Sequence, residues 1–202
     1  MLGLKMNKMM GFFELSASDL PTINWNLYTP DVQLDGKYLW TIRSAVKDGN
    51  DLNLPRSIGK NAKDSMIFAD KLYDKIGSNG MVIYYPYFVA HKSGTLCVDK
   101  DNIVIEAVNK DLWNMVTKND VDVSMTFDSN GKLISSNGNI NFLDKEEILL
   151  LLKNAVKVKS LYWSEIHSNS TVLLEWSIAS NCTADGNVDE NKYLVFYEAR
   201  TI

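Results

Sequence analysis

Two glutamates and an arginine near the end of the chain have the types and spacing best suited to chemistry. The stretches Leu173-Leu174-Glu175-Trp176-Ser177-Ile178-Ala179 and Tyr193-Leu194-Val195-Phe196-Tyr197-Glu198-Ala199-Arg200-Thr201-Ile202 each read as an apolar strand carrying these charges. Side chains alternate between the two faces of a strand, so Glu198 and Arg200 share a face, and a hairpin can set Glu175 beside them. Two carboxylates and a guanidinium so arranged suit a divalent cation, held by Glu175 and Glu198, together with a phosphate. The same spacing also describes solvent-facing charges on a half-buried C-terminal hairpin.

Four further groups bear on chemistry. Thr41-Ile42-Arg43-Ser44-Ala45 ends a strand and releases Arg43 at the mouth of the polar loop Lys47-Asp48-Gly49-Asn50-Asp51, where a guanidinium can grip a phosphate or simply face solvent. Met81-Val82-Ile83-Tyr84-Tyr85-Pro86-Tyr87-Phe88-Val89 is an aromatic strand interrupted by Pro86. Proline donates no ladder bond, so the backbone beside Tyr85 is expected to break away and leave main-chain groups for a purine ring; a tyrosine-rich core strand is the alternative. His91-Lys92-Ser93-Gly94-Thr95 reads as a hydroxyl and glycine turn whose Lys92 and backbone amides could face an anion, or as an ordinary hairpin turn. Glu106, inside the apolar Ile103 to Val108, is either a ligand-facing carboxylate or simple inward and outward alternation.

Other chemistries are disfavoured. The two cysteines, Cys97 and Cys182, are far apart and the two histidines, His91 and His167, have no close partners in sequence, so a zinc knuckle, a CxxC pair and a Ser/His/Asp triad all lack their residues. Any metal must be held by oxygen. Neither a GxxxxGK[ST] nor a GxGxxG motif occurs. A formal net charge of -4 gives no reason to expect nucleic acid or a membrane surface as partner. No apolar run approaches the roughly 20 residues needed to cross a bilayer, and Met1 to Gly11 lacks a secretory h-region, so a cytoplasmic protein is expected.

The elements that must position these groups follow from periodicity. Residues 1 to 34 read as an irregular, packed arm around Trp25 and Tyr28, with turns at Leu20-Pro21 and Thr29-Pro30. Tyr38 to Arg43 reads as a strand. From Asn61 to Ile76 apolar residues recur at three and four, an amphipathic helix stopped by Gly77. Strands follow at Met81 to Phe88, Thr95 to Val98, Ile103 to Val108, Leu112 to Thr117 and Val121 to Phe127, with a turn at Asn119-Asp120, and a hairpin at Asp128 to Gly131 leads to Lys132-Leu133-Ile134-Ser135. Asp144 with Glu147 three residues on is a capping box that launches a second helix through Ile148 to Val156 and on towards Trp163. Helix, meander, helix, hairpin is an α+β order: an antiparallel sheet with two main helices against it, in one domain with residues 1-37 as arm and 38-202 as core.

Taken in order, these stretches resemble the nucleotide-binding ATP-grasp domain of the pyruvate phosphate dikinase and phosphoenolpyruvate synthase family. That family carries V-R-S-S/G-A and then D-L-P, matched by Ile42-Arg43-Ser44-Ala45 and Asp51-Leu52-Asn53-Leu54-Pro55; its S-G-V turn is matched by Ser93-Gly94-Thr95. Its E-W/F-A and L-x-x-x-Q-x-R-P are matched by Glu175-Trp176-Ser177 and by Leu194 to Thr201, with Glu198 in place of glutamine. The resemblance implies an ATP-grasp-like fold that binds ATP, or a related phosphorylated small molecule, with Mg2+ on Glu175 and Glu198. It implies nucleotide contacts from Arg43, Tyr85, Lys92, Ser93 and Glu106, and Arg43 and Arg200 as the catalytic cations if a phosphoryl group is transferred. The family's glycine-rich lysine segment and its swivelling phosphoacceptor domain have no match, so a protein partner is expected to supply them. A non-catalytic interaction module that displays Trp25, Trp40 and Tyr84 to Tyr87 is the alternative.

Overall fold

The computed structural model of the chain describes residues 5–49, 51, 54–112 and 121–202. The strand expected over 112–117 with its turn at Asn119-Asp120, and the Leu52-Asn53 part of the D-L-x-L-P match, lie outside those residues apart from Leu112.

Two antiparallel sheets form the frame. The smaller contains β1 (Asn26–Leu27), β2 (Trp40–Val46), β3 (Ser57–Lys60) and β4 (Gly80–Pro86), in the order β1-β4-β2-β3. The larger contains β5 (Phe88–Val98), β6 (Asn102–Asn109), β7 (Val123–Asp128), β8 (Leu133–Gly138), β9 (Val172–Asn181) and β10 (Tyr193–Thr201), in the order β10-β9-β5-β6-β7-β8. Where one antiparallel sheet was expected from the run of strands, the chain changes sheets at Pro86: β4 ends there, and one residue later β5 begins in the other sheet. Proline ends the ladder as expected. Tyr87 between the strands is nonetheless bonded, since its N–H donates to the Leu39 carbonyl at 2.8 Å, so this amide is not free for a ligand.

Period-2 alternation explains the two faces of the large sheet. Leu96, Ile105, Met125, Leu174 and Trp176 are buried on one face, under α3 (Lys145–Leu161) and the short α4 (Trp163–His167). The opposite face carries Thr95, Glu106, Ser124 and Glu175, aligned across four strands by direct register pairs. The Asp144 capping box is present, with the Glu147 N–H donating to Asp144 Oδ1 and the Asp144 N–H to Glu147 Oε2. In the small sheet, α2 (Ala62–Ile76), capped by Asn61 and stopped at Gly77 with φ +52°, covers Trp40, Ile42 and Val82. The other face, through Ala45, Ile83 and Tyr85, packs on Ala179, Val195 and Tyr197 of the large sheet.

The N-terminal arm differs from its expectation. It contains α1 (Lys8–Ala17), whose Asn7 cap accepts from the Met10 N–H. The methionines and phenylalanines of this segment obscure the helical period, and packing supplies what periodicity does not show. Helix α1 lies directly on β10: a Cβ added at Gly11 would sit 1.8 Å from the Ala199 carbonyl oxygen. Ahead of the helix, Met6 and Thr201 exchange backbone and side-chain bonds at 2.8 and 3.0 Å. The stretch His91 to Thr95, expected as a turn, is instead the middle of β5, paired on both sides, with a bulge at His91 between the Ala90 and Lys92 pairs. Neighbouring strands override local turn composition there.

Gly11→Ala tests the contact that seats α1. Overpacking against a backbone oxygen costs about 1–3 kcal/mol, more than the roughly 1 kcal/mol of helix propensity that alanine returns. Urea unfolding is expected to show a net loss, while Gly36→Ala, with open space around its Cβ, stays within about 0.5 kcal/mol.

Candidate functional site

A cleft of about 860 Å³ opens between the two sheets. Its lining includes Thr41 and Arg43 of β2, Tyr85 of β4, Phe88 to His91 and Ser93 of β5, Glu175 and Ser177 of β9, Tyr197, Glu198 and Arg200 of β10, and Lys8 of α1. The loop before β3 contributes Asp51 and Arg56, and the end of β6 contributes Lys110 and Asp111.

The floor is built by a register detail. Phe196 pairs with Trp176, and Glu198 pairs with Glu175, because Tyr197 is an extra residue bulged out of β10. In an unbroken strand Glu198 would lie opposite Leu174 and point towards the helices; the bulge moves it to the Glu175 face. The expectation that a hairpin sets the two carboxylates side by side is met, through a bulge that periodicity does not reveal.

Glu198 is 4% exposed and sits at the centre of an ion cluster. Arg43, also 4% exposed, binds its Oε2 through NH2 and donates from NH1 to the Tyr197 carbonyl at 3.1 Å. Lys8 Nζ lies 3.2 Å from the same Oε2, and Arg200 NH1 lies 3.8 Å from Oε1. The Arg43 guanidinium also stands over the rings of Phe12 and Tyr197, at 5.5 and 5.6 Å. Burial by itself raises the pKa of Glu198, but Arg43, Lys8 and Arg200 outweigh it and hold the carboxyl below its ordinary value. Burial and the nearby Arg43 lower that of Lys8 against the pull of Glu198. Glu175, half-buried beside the cluster, is pushed up to about 7, first by burial and then by the Glu198 carboxylate.

Lys8 holds this place because its backbone is fixed on three sides. Gly11 seats the next turn on Ala199, the Lys8 N–H donates to Asp51 Oδ2 at 3.0 Å, and Asn7 Nδ2 donates to the Lys47 carbonyl at 3.0 Å. Above the floor, Phe88 stacks on Tyr85 at 6.4 Å and on Tyr87 at 6.5 Å, an aromatic wall. Ser93 and Ser177 hydroxyls meet at 2.8 Å. Ser180 Oγ gives its one proton to the Asn191 carbonyl, so it accepts from His91 Nε2, at 3.0 Å.

Of the residues singled out by sequence, Arg43, Tyr85, Ser93, Glu175, Glu198 and Arg200 line this cleft together. Glu106 shares the polar face but is turned to Thr95, whose hydroxyl donates to it at 3.1 Å, and does not line the cleft. Lys92 is displaced altogether. The bulge at His91 puts it opposite Ile178, on the helix side of the sheet, where Nζ meets Glu147 Oε2 at 2.6 Å. Lys8 was missed, since nothing in a methionine-rich arm marks a lysine for burial.

The magnesium that the resemblance implied is not matched by the donors present. Mg2+ takes free carboxylate oxygens in a tight octahedron, whereas both Glu198 oxygens face cations and three positive groups stand against two carboxylates. Among the described residues no group of three or more His, Cys, Asp or Glu side chains could hold a metal.

No protein-family model matches the sequence, and no curated protein does. Solved structures do match in shape. D-alanine–D-alanine ligase from Bacillus anthracis superposes with a TM-score of 0.52 at 12% identity, over 98% of this chain and 56% of that one. The Coxiella burnetii D-alanine–D-alanine ligase gives 0.51 at 10%, over 98% and 47%. N5-carboxyaminoimidazole synthetase from Staphylococcus aureus, complexed with ADP, gives 0.52 at 13%, over 95% and 43%. The chain thus spans about half the length of these enzymes, and its fold is ATP-grasp-like.

Proposed function

We propose that the cleft between the sheets binds a nucleotide, ATP or ADP, or a related phosphorylated small molecule. The observation that carries the reading is the convergence of Lys8, Arg43 and Arg200 on one floor beneath an aromatic wall. Guanidinium and ammonium donors suit phosphate oxygens, and the faces of Tyr85, Tyr87 and Phe88 suit a base. A volume of about 860 Å³ is within the range of small-molecule sites. The lining carries five cations, Lys8, Arg43, Arg56, Lys110 and Arg200, against four carboxylates, Asp51, Asp111, Glu175 and Glu198, in a chain whose net charge is -4. The cleft is therefore electropositive relative to the rest of the chain. The shape shared with a synthetase solved in complex with ADP points the same way.

Phosphoryl transfer is the further step of this reading, with Arg43 and Arg200 as cations and an acceptor, or an acceptor domain, supplied by another polypeptide. The interaction-module alternative rests on displayed aromatics, of which Trp25, Tyr84 and Tyr87 are half-buried. Trp40 and Tyr85 are buried, and Trp25 makes edge contacts with Phe12 and Phe13.

ATP at a hundred times its Kd is expected to stabilise the protein by about 2.7 kcal/mol, readable as a rise in Tm. Arg200→Met is expected to weaken binding about tenfold, the loss of one charge-assisted contact. No shift with millimolar ATP, ADP or another nucleotide would remove the reading. The floor also sets a pH dependence. Glu175 binds its proton more tightly folded, at about 7, than at its ordinary 4.5, so its contribution to stability is present in full below 4.5 and is lost as pH rises through 7. Urea midpoints at pH 5 and pH 8 are expected to differ less in Glu175→Gln than in the wild type.

A further inference from the structure

We infer that the cleft binds its phosphorylated ligand without a divalent metal, because Lys8, delivered by α1, together with Arg43 and Arg200 occupies the carboxylate that a metal would need. The inference rests on the nucleotide reading and goes beyond it by naming what neutralises the phosphates.

Glu198 accepts from Arg43 and Lys8 on Oε2 and faces Arg200 with Oε1, leaving it no oxygen turned away from a cation. A dication brought to Oε2 would have to displace Arg43 or Lys8, and one brought to Oε1 would stand within a few ångströms of all three cations. Like charges at such spacing in a partly buried site repel by several kcal/mol, whereas a phosphate is attracted to all three. The displacement is not easy. Arg43 is held in addition by the Tyr197 carbonyl and two rings, and the backbone of Lys8 is pinned by Gly11 on Ala199 and by Asp51. Glu175, the second carboxylate, is one ligand and not a site.

A second observation shows where the anion would be received. Arg200 Nε is buried and has no hydrogen-bond partner among the described residues, although Arg200 lines the cleft. A buried N–H in that state is an unmet donor, and the group that satisfies it most strongly is an oxyanion entering from the cleft. Lys8 and Arg43 then contribute field and the remaining contacts from below.

The test is calorimetric titration of the wild type with ATP, once in EDTA and once in excess Mg2+, with Lys8→Met beside it. The expected result is binding in EDTA within about threefold of that in Mg2+, and no heat from Mg2+ or Mn2+ titrated alone. Lys8→Met is expected to lose about tenfold or more in EDTA and in Mg2+ alike, since Arg43 and Arg200 still face Glu198. Its far-ultraviolet circular dichroism and Tm show whether it is folded, and the wild-type comparison does not depend on it. Binding in the wild type that is tenfold or more tighter with Mg2+ would overturn the inference and leave the nucleotide reading standing. Binding in neither buffer would overturn the nucleotide reading itself, and this inference with it.

Discussion

The interaction on which the rest of this structure depends is the buried contact between Arg43 of β2 and Glu198 of β10. It joins strands from different sheets, 155 residues apart in sequence, and it lies behind the apolar seam in which Ile83 and Tyr85 meet Val195 and Tyr197. A buried ion pair adds little stability compared with an apolar substitute, but removing one partner leaves an uncompensated charge and costs about 3–5 kcal/mol. The pair therefore acts less as glue than as a constraint on geometry. The seam of apolar side chains alone would tolerate small slides of one sheet over the other; a guanidinium bound to a carboxylate and to the Tyr197 carbonyl does not. The width of the cleft follows from that fixed point.

The same constraint explains the N-terminal arm. Lysine is almost never buried without a partner, yet Lys8 is 8% exposed. The close approach at Gly11 and the bonds between Met6 and Thr201 place α1 so that its first residue, Lys8, reaches Glu198. A bulge at Tyr197 is needed for Glu198 to be there at all. Three local departures from regular structure, a helical glycine, a β-bulge and a buried lysine, are thus parts of one arrangement.

Local chemistry made much of this legible from the sequence. The α2 helix with its Asn61 cap and Gly77 stop and the Asp144 and Glu147 capping box are set by residues close in sequence, whereas the pairing of Glu175 with Glu198 needs the bulge at Tyr197 as well as the hairpin. What was not legible depends on distant partners. The division into two sheets turns on which strands Phe88 to Ala90 join, and β5 hides its strand character under Lys92-Ser93-Gly94, a composition that suits a turn. In a turn Lys92 and Ser93 could face one anion together; in a regular strand these neighbours point to opposite faces, so Ser93 reaches the cleft and Lys92 the helix side. Lys8 carried no local signal because its burial is imposed by Ala199 and Glu198, nearly the whole chain away.

An ion cluster so placed cannot be judged only as structure or only as site. Three cations around two carboxylates, one of which holds its proton up to about 7, leave positive charge beside a cleft that water enters. A cluster that served stability alone would do better balanced, or replaced by apolar side chains. The imbalance is lowered in energy by the entry of an anion, and that same entry satisfies the unmet Nε of Arg200. On the reading proposed above, the ligand and the fold use the same charges, so occupancy of the cleft and closure of the two sheets are linked: whatever tightens the Arg43 to Glu198 contact also fixes the floor on which phosphate would rest. The arrangement favours holding a phosphate over moving it, because Arg43 is already committed to a carboxylate and has less to offer a developing charge than an unpaired cation would.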